Sequence, residues 1–316
     1  MREFIKEQEF KTQMTDTVLP YLTKRAEKLT LHTRDGKSLY AVKYTADRPR
    51  GTVVVVHGFS ENADKYCEFI YYLLRDGLSV LIYDQRGHGR SHRNAPVNII
   101  HVDRFCDYLD DLEAVIEQVR HELTAPLYLF AHSMGGAVAM LYLEKHGSVF
   151  EKALLSAPMI SLQYWGPSRA AAAVACRFCA LTGRAKKPVF IVKRDYKNET
   201  FEHSTARSPA RFSYLHELRI SDPRLTGGSP SYKWSLAALG VTKSIFKKHA
   251  PTRVKIPVRI FAAEHERLVS PVVQKKLAAA LPDCQLKTVA GSKHEILLAN
   301  DEILHPVLEE MLDFLQ

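Results

Sequence analysis

Three side chains of this sequence could together perform nucleophilic acyl transfer: a serine, a carboxylate and a histidine. A serine hydroxyl is a weak nucleophile until a base takes its proton. Histidine suits that task, and a carboxylate behind it holds the reactive tautomer and stabilises the imidazolium. Ser133 stands in Ala131-His132-Ser133-Met134-Gly135, close to the G-x-S-x-G pattern of a strained strand-to-helix elbow. Such a turn points the serine out of the fold and demands small neighbours on either side. Gly135 and Gly136 meet the demand on one side, while Ala131 replaces the usual first glycine by one methyl group. The plain alternative is a small-residue turn that merely opens a Gly-rich helix.

The order Ser, acid, His is the order of a serine hydrolase built on a doubly wound sheet. Two acids compete in Glu264-His265-Glu266-Arg267-Leu268-Val269. Glu266 is preferred because it directly precedes the segment that leads into the next helix; Glu264 is the alternative. His294 follows the last strand-like run and takes the place of the base. His132 adjoins the serine, but on a sharp turn its side chain should diverge from that of Ser133. An oxyanion hole needs two backbone N–H groups. Met134, next after the serine, would supply one, and Phe59 the other, with Gly58 permitting close backbone approach. His57 is expected to shape that loop. Asp84, Arg86 and His88 are expected to brace their own, with Asp84 the less favoured acid.

A strand must end just before each of these residues. Residues 52–56 are a continuous β-branched run, typical of a strand buried on both faces, and end at His57-Gly58. Residues 127–130 enter the elbow after Pro126, and 256–263 and 285–289 precede the acid and the histidine. Helical spacing over 62–77, 102–123, 137–143, 270–281 and 295–315 alternates with these strands and with strands at 78–83 and 152–158. A hairpin at 29–45, turning through Asp35-Gly36, comes first. The expected fold is α/β, with a mostly parallel central sheet and helices on both faces. The alternation breaks over 159–250, which is read as a helical cap between core segments 1–158 and 251–316. Its apolar run at 170–175 is taken as core packing, with a lipid- or substrate-facing surface as the alternative.

Composition narrows the function. The chain has 316 residues, 46% hydrophobic and 25% charged, with a formal net charge of +9. That charge suits an anionic surface such as a phospholipid bilayer, although ordinary solubility explains it equally well. Nothing has the pattern of a nucleic-acid module. No signal-type apolar run opens the chain and no ~18-residue apolar span occurs, so a cytoplasmic protein is expected, at most peripheral to the membrane. Five cysteines at irregular spacing do not make a disulfide framework. Cys176 and Cys179 have C-x-x-C spacing but no second pair for a zinc site.

The motifs His57-Gly-Phe-Ser-Glu61, Asp84-Gln-Arg-Gly-His-Gly-Arg-Ser91, His132-Ser-Met-Gly-Gly136 and His294-Glu-Ile-Leu297 resemble the lysophospholipase and monoacylglycerol lipase family of serine α/β-hydrolases. The resemblance runs from about residue 29 to the end of the chain. Gly227-Gly-Ser-Pro-Ser-Tyr-Lys-Trp234 is similar to the bacterial lysophospholipase branch. The resemblance implies an α/β-hydrolase fold and hydrolysis of one acyl ester in a lysophospholipid or monoacylglycerol. It implies Ser133 as nucleophile, His294 as base, the Phe59 and Met134 amides as oxyanion hole, and no metal or organic cofactor. The family acid is commonly Asp, so Glu266 departs by one methylene. A short-chain carboxylesterase, an aminopeptidase and a non-catalytic ligand receptor of the same fold are the competing functions.

Overall fold

The computed structural model describes residues 2–147, 149–163, 168–190 and 198–316. The strands are β1 (Ala26–His32), β2 (Ser38–Tyr44), β3 (Thr52–Val56), β4 (Ser79–Tyr83), β5 (Ile99–Ile100), β6 (Leu127–His132), β7 (Lys152–Ser156), β8 (Ser229–Pro230), β9 (Val258–His265) and β10 (Cys284–Lys293). Eight of them form one sheet in the order β1-β2-β4-β3-β6-β7-β9-β10. The first two pairings are antiparallel and the others parallel.

The helices are α1 (Phe10–Gln13), α2 (Leu19–Thr23), α3 (Cys67–Arg75), α4 (Cys106–Val119), α5 (Met134–His146), α6 (Arg169–Cys179), α7 (Pro209–Ser221), α8 (Tyr232–Ile245), α9 (Pro271–Ala280) and α10 (Asp301–Phe314). None among the described residues is long and apolar enough to cross a membrane. The strand β3 shows why the sheet is covered on both sides. Its side chains alternate, as period-2 geometry requires. Val54 and Val56 enter a core with α4, α5 and α8, whereas Val53 and Val55 enter a second core with α3 and α10.

That second core also holds an N-terminal arm. Phe10, Met14, Val18 and Leu22 recur every four residues along α1, a wide turn at Met14–Val18, and α2, and all four are buried. Between β7 and β9 the chain leaves the sheet and forms α6, α7 and α8. The helix α7 is tied down by Arg211, whose guanidinium is buried. It donates to Glu68 at 2.8 and 2.9 Å, to Asp301 at 2.9 Å and to the Ala299 carbonyl at 3.2 Å. The stub pair β5·β8 pins the chain ahead of α8 to the core.

The apolar run at 170–175 is not core packing. It lies on α6 with Ala170, Ala171, Val174 and Ala175 exposed and Ala172 and Ala173 half-buried. A helix lying outermost has only one face to bury, and that face is set by Ala172 and Cys176, four residues apart. Val174 and Phe178 lie on the other face and Leu181 just beyond its end, 67–80% exposed, and Phe190 is 72% exposed. Much of the basic stretch that follows, 191–197, lies outside the described residues.

Candidate active site

The registers β3·β6 and β6·β7 set the ends of three strands level, with Val56 opposite Ala131 and His132 opposite Ser156. Beyond them the chain turns sharply at Ser133, with φ +48° and ψ −117°. A non-glycine residue there is strained, which places its side chain clear of the strand and at the first turn of α5. The elbow survives only because its flank is bare. A Cβ on Gly135 would sit 2.1 Å from the Val56 carbonyl oxygen, and one on Gly136 would sit 2.5 Å from Pro158 Cβ.

The three expected residues meet. The Ser133 hydroxyl donates to His294 Nε2 over 2.8 Å, and His294 Nδ1 donates to Glu266 Oε2 over 2.7 Å. The other oxygen of Glu266 accepts from the N–H groups of Arg267 and Leu268, both 2.8 Å, and of Val269, 3.3 Å. Burial works against its charge. His294 and the backbone amides outweigh burial and hold Glu266 below the ordinary glutamate range. The longer side chain reaches His294 from a strand end while its inner oxygen stays in a nest of amides. Glu264 faces elsewhere: it is exposed and accepts from the Gly291 N–H at 2.8 Å. Asp84 is occupied by the amides of Arg90, 2.8 Å, in its own loop, and of Ala63, 2.7 Å, in the segment after β3.

Met134 follows Ser133 directly, and Phe59 shares its cavity. Met134 opens α5, whose first amides have no partner within the helix. Phe59 lies in the turn after β3 and lines the same cavity as Ser133. His57 holds that turn as expected: its Nδ1 donates to the Gly58 carbonyl at 2.8 Å and its Nε2 accepts from Gln85 N–H at 2.9 Å.

Beneath these residues lies a buried charge cluster that sequence reasoning missed. Lys65 Nζ bridges Glu61 at 2.6 Å and Glu295 at 2.5 Å, while His132 Nε2 approaches the same two carboxylates at 3.3 and 3.4 Å. Glu61 Oε2 also accepts from the Gly58 N–H and the Tyr66 hydroxyl, both 2.6 Å. Burial disfavours a charged His132, but Glu61 and Glu295 outweigh it and raise His132 to about 9. The cluster is therefore two carboxylates against two cations. Glu61, His132 and Glu295 are close enough to hold a metal ion, yet the Lys65 ammonium already supplies the cation. The signal in the sequence was adjacency: Glu61 follows Gly58-Phe59, His132 precedes Ser133, and Glu295 follows His294.

Ser133 and His294 open into a cavity of about 370 Å³ between the sheet ends and α6, α7 and α8. Its walls are chiefly apolar, with Met159, Leu162, Val189, Phe212, Trp234 and Leu239 among them. Arg219, which is paired with Glu199 at 3.3 Å, and Arg267 are its cations. Cys176 also faces it, and neither Cys176 nor Cys179 is in a disulfide.

Comparison with known proteins gives a consistent answer. A family model described as Hydrolase_4, serine aminopeptidase, S33, matches residues 47–301. Lysophospholipase L2 of Escherichia coli (strain K12) is 31% identical over 300 residues, which is 86% of this chain and 82% of the relative. Monoacylglycerol lipase of Mycolicibacterium smegmatis is 25% identical over 252 residues, 78% of this chain and 82% of the relative. Among solved structures, a soluble variant of the Saccharomyces cerevisiae monoglyceride lipase with a substrate analog superposes with a TM-score of 0.72. It is 20% identical and covers 92% of this chain and 95% of that one.

Proposed function

This chain belongs to the Hydrolase_4 family, serine aminopeptidase, S33, on the α/β-hydrolase fold, and on that premise we propose that it hydrolyses the single acyl ester of a lysophospholipid or monoacylglycerol. The observation that carries this reading is the hydrogen-bonded chain Ser133–His294–Glu266 opening into an apolar cavity. Ser133 Oγ attacks the ester carbonyl as His294 Nε2 takes its proton. The oxyanion that forms is received by the Phe59 and Met134 N–H groups. His294 then protonates the departing glycerol-type alcohol, leaving the acyl group on Ser133. Water, deprotonated by the same histidine, releases the fatty acid. Glu266 keeps Nδ1 protonated throughout, so that Nε2 is the free base.

The apolar walls favour an acyl chain over the polar slot that an aminopeptidase needs. Arg267 favours a phosphate-bearing leaving group over plain glycerol, whereas the charge of Arg219 is met by Glu199. Segment 159–250 is read as a cap over the site. Its outer face presents Val174, Phe178 and Leu181 beside the exposed Arg177, Arg184, Lys186 and Lys187. Apolar side chains ringed by cations suit the surface of an anionic bilayer, from which the substrate would enter. The test is fatty-acid release from lysophosphatidylethanolamine, lysophosphatidylcholine, monoacylglycerol and p-nitrophenyl esters of rising chain length, with Ser133→Ala beside the wild type. Release from long-chain lysolipids that requires Ser133 supports the reading; activity confined to short esters overturns the substrate.

A further inference from the structure

We infer that the cap segment 225–234 holds the Phe59 oxyanion loop in its working position, with Ser60 as the positioning residue; this rests on the reading that the Phe59 N–H receives the oxyanion. Ser60 is 1% exposed and has φ +60°, a conformation disfavoured for any residue with a Cβ. Its hydroxyl makes a reciprocal pair with a single residue of the cap. It donates to the Gly228 carbonyl over 2.7 Å and accepts from the Gly228 N–H over 2.9 Å.

Gly228 is itself fixed. A Cβ there would lie 2.6 Å from the Asn98 carbonyl carbon, and the next N–H, of Ser229, donates to the Asn98 carbonyl at 2.9 Å. Neighbours on the loop are gripped from the same side. The Phe59 ring lies 4.2 Å from the Trp234 ring, and Asn62 Nδ2 donates to the Leu225 carbonyl at 3.4 Å. From the core side Glu61 accepts from the Gly58 N–H at 2.6 Å, His57 Nδ1 donates to the Gly58 carbonyl at 2.8 Å, and the His88 ring packs 5.9 Å from the Phe59 ring. The peptide that carries the Phe59 amide thus lies between these core groups and the cap, and the cap holds it on one side through Ser60.

The consequence is that cap docking and the chemical step are coupled. Displacing an oxyanion donor by about 1 Å costs roughly a hundredfold in rate, without touching the groups that bind the acyl chain. Loss of the Ser60 hydroxyl should therefore lower kcat and leave KM nearly alone.

The experiment compares wild type, Ser60→Ala and Ser60→Gly, the glycine variant removing the hydroxyl while accepting φ +60° without strain. Steady-state hydrolysis of a p-nitrophenyl ester is measured beside amide hydrogen exchange over 57–62 and 225–231, with melting temperature as the control for folding. Expected are a fall in kcat of about 10- to 100-fold in both variants, KM within about twofold, and faster exchange in both segments together. A kcat within twofold of wild type overturns the inference. If wild type shows no Ser133-dependent turnover, the hydrolase reading fails separately. Exchange then decides the coupling: faster exchange in both segments supports it, and unchanged exchange in either overturns it.

Discussion

Glu266→Gln is the sharpest perturbation of this site, because the substitution keeps shape and removes one function. The inner oxygen would still accept from the amides of Arg267, Leu268 and Val269, now 2.8, 2.8 and 3.3 Å away, so the side chain should stay where it is. The outer atom, 2.7 Å from His294 Nδ1, becomes an NH2 that can only donate. His294 must then leave Nδ1 unprotonated and carry its proton on Nε2, facing the Ser133 hydroxyl from which it should take one. Where the orienting carboxylate of such a triad is replaced by its amide, kcat falls about 10⁴-fold, or ~5.5 kcal/mol of barrier. The same loss is expected here, with KM and melting temperature little changed. Glu264→Gln is the matched control: its oxygen can still accept from the Gly291 N–H, and kcat should stay within about twofold. Both are read by steady-state hydrolysis of a p-nitrophenyl ester. A Glu266→Gln enzyme within tenfold of wild type, or a larger loss in Glu264→Gln, would refute the reasoning.

Four other outcomes are expected. Gly135→Ala puts a Cβ against the Val56 carbonyl oxygen and should cost on the order of 3 kcal/mol in denaturant unfolding; a loss under 0.5 kcal/mol would mean that the elbow can relax. Arg211→Ala leaves the buried Glu68 without its cation and should destabilise by about 3–5 kcal/mol, whereas Arg211→Met, which keeps the packing, should lose no more than that. His132, raised from 6.5 to about 9 in the fold, stabilises fully below about pH 6.5 and loses that contribution, about 3 kcal/mol, as pH rises through 9. Unfolding curves of wild type and His132→Gln should therefore converge above pH 9, and a gap that stays constant with pH would contradict the charged cluster. Phe178→Ser/Leu181→Ser should weaken sedimentation with anionic vesicles while leaving hydrolysis of a water-soluble ester unchanged; equal sedimentation would discard α6 as the membrane face.

What the sequence disclosed and what it concealed divide along locality. The valine run of β3 and the residues at the elbow are local statements, since one strand, one tight turn and one helix start are written in about fifteen consecutive residues. Sequence order puts the acid at Glu264 or Glu266, at the end of β9, ahead of the less favoured Asp84. Only the course of the chain shows that Glu266 reaches His294 while Glu264 turns to Gly291. The buried cluster stayed hidden because Lys65 and Glu61 four residues apart look like a solvated helix pair, and Glu295 comes from the far end of the chain. Arg211 hid for the same reason, since its partners lie on α3 and at the start of α10. The N-terminal arm is legible in the sequence: Phe10, Met14, Val18 and Leu22 repeat every four residues, the spacing of one helix face. The exposure of α6 is not, because an apolar helix face can pack on a core or meet a surface with the same residues, and only its neighbours decide which.

The most direct test of the central claim is to trap the acyl-enzyme. The enzyme is mixed with a long-chain lysophospholipid, quenched in acid during the first turnovers, digested, and the peptide spanning the elbow examined by mass spectrometry. The account predicts one fatty-acyl group on Ser133, formed with release of the headgroup alcohol, and none in Ser133→Ala or His294→Ala. Fatty acid released at the wild-type rate by Ser133→Ala, or an acyl group on any other residue, would contradict it.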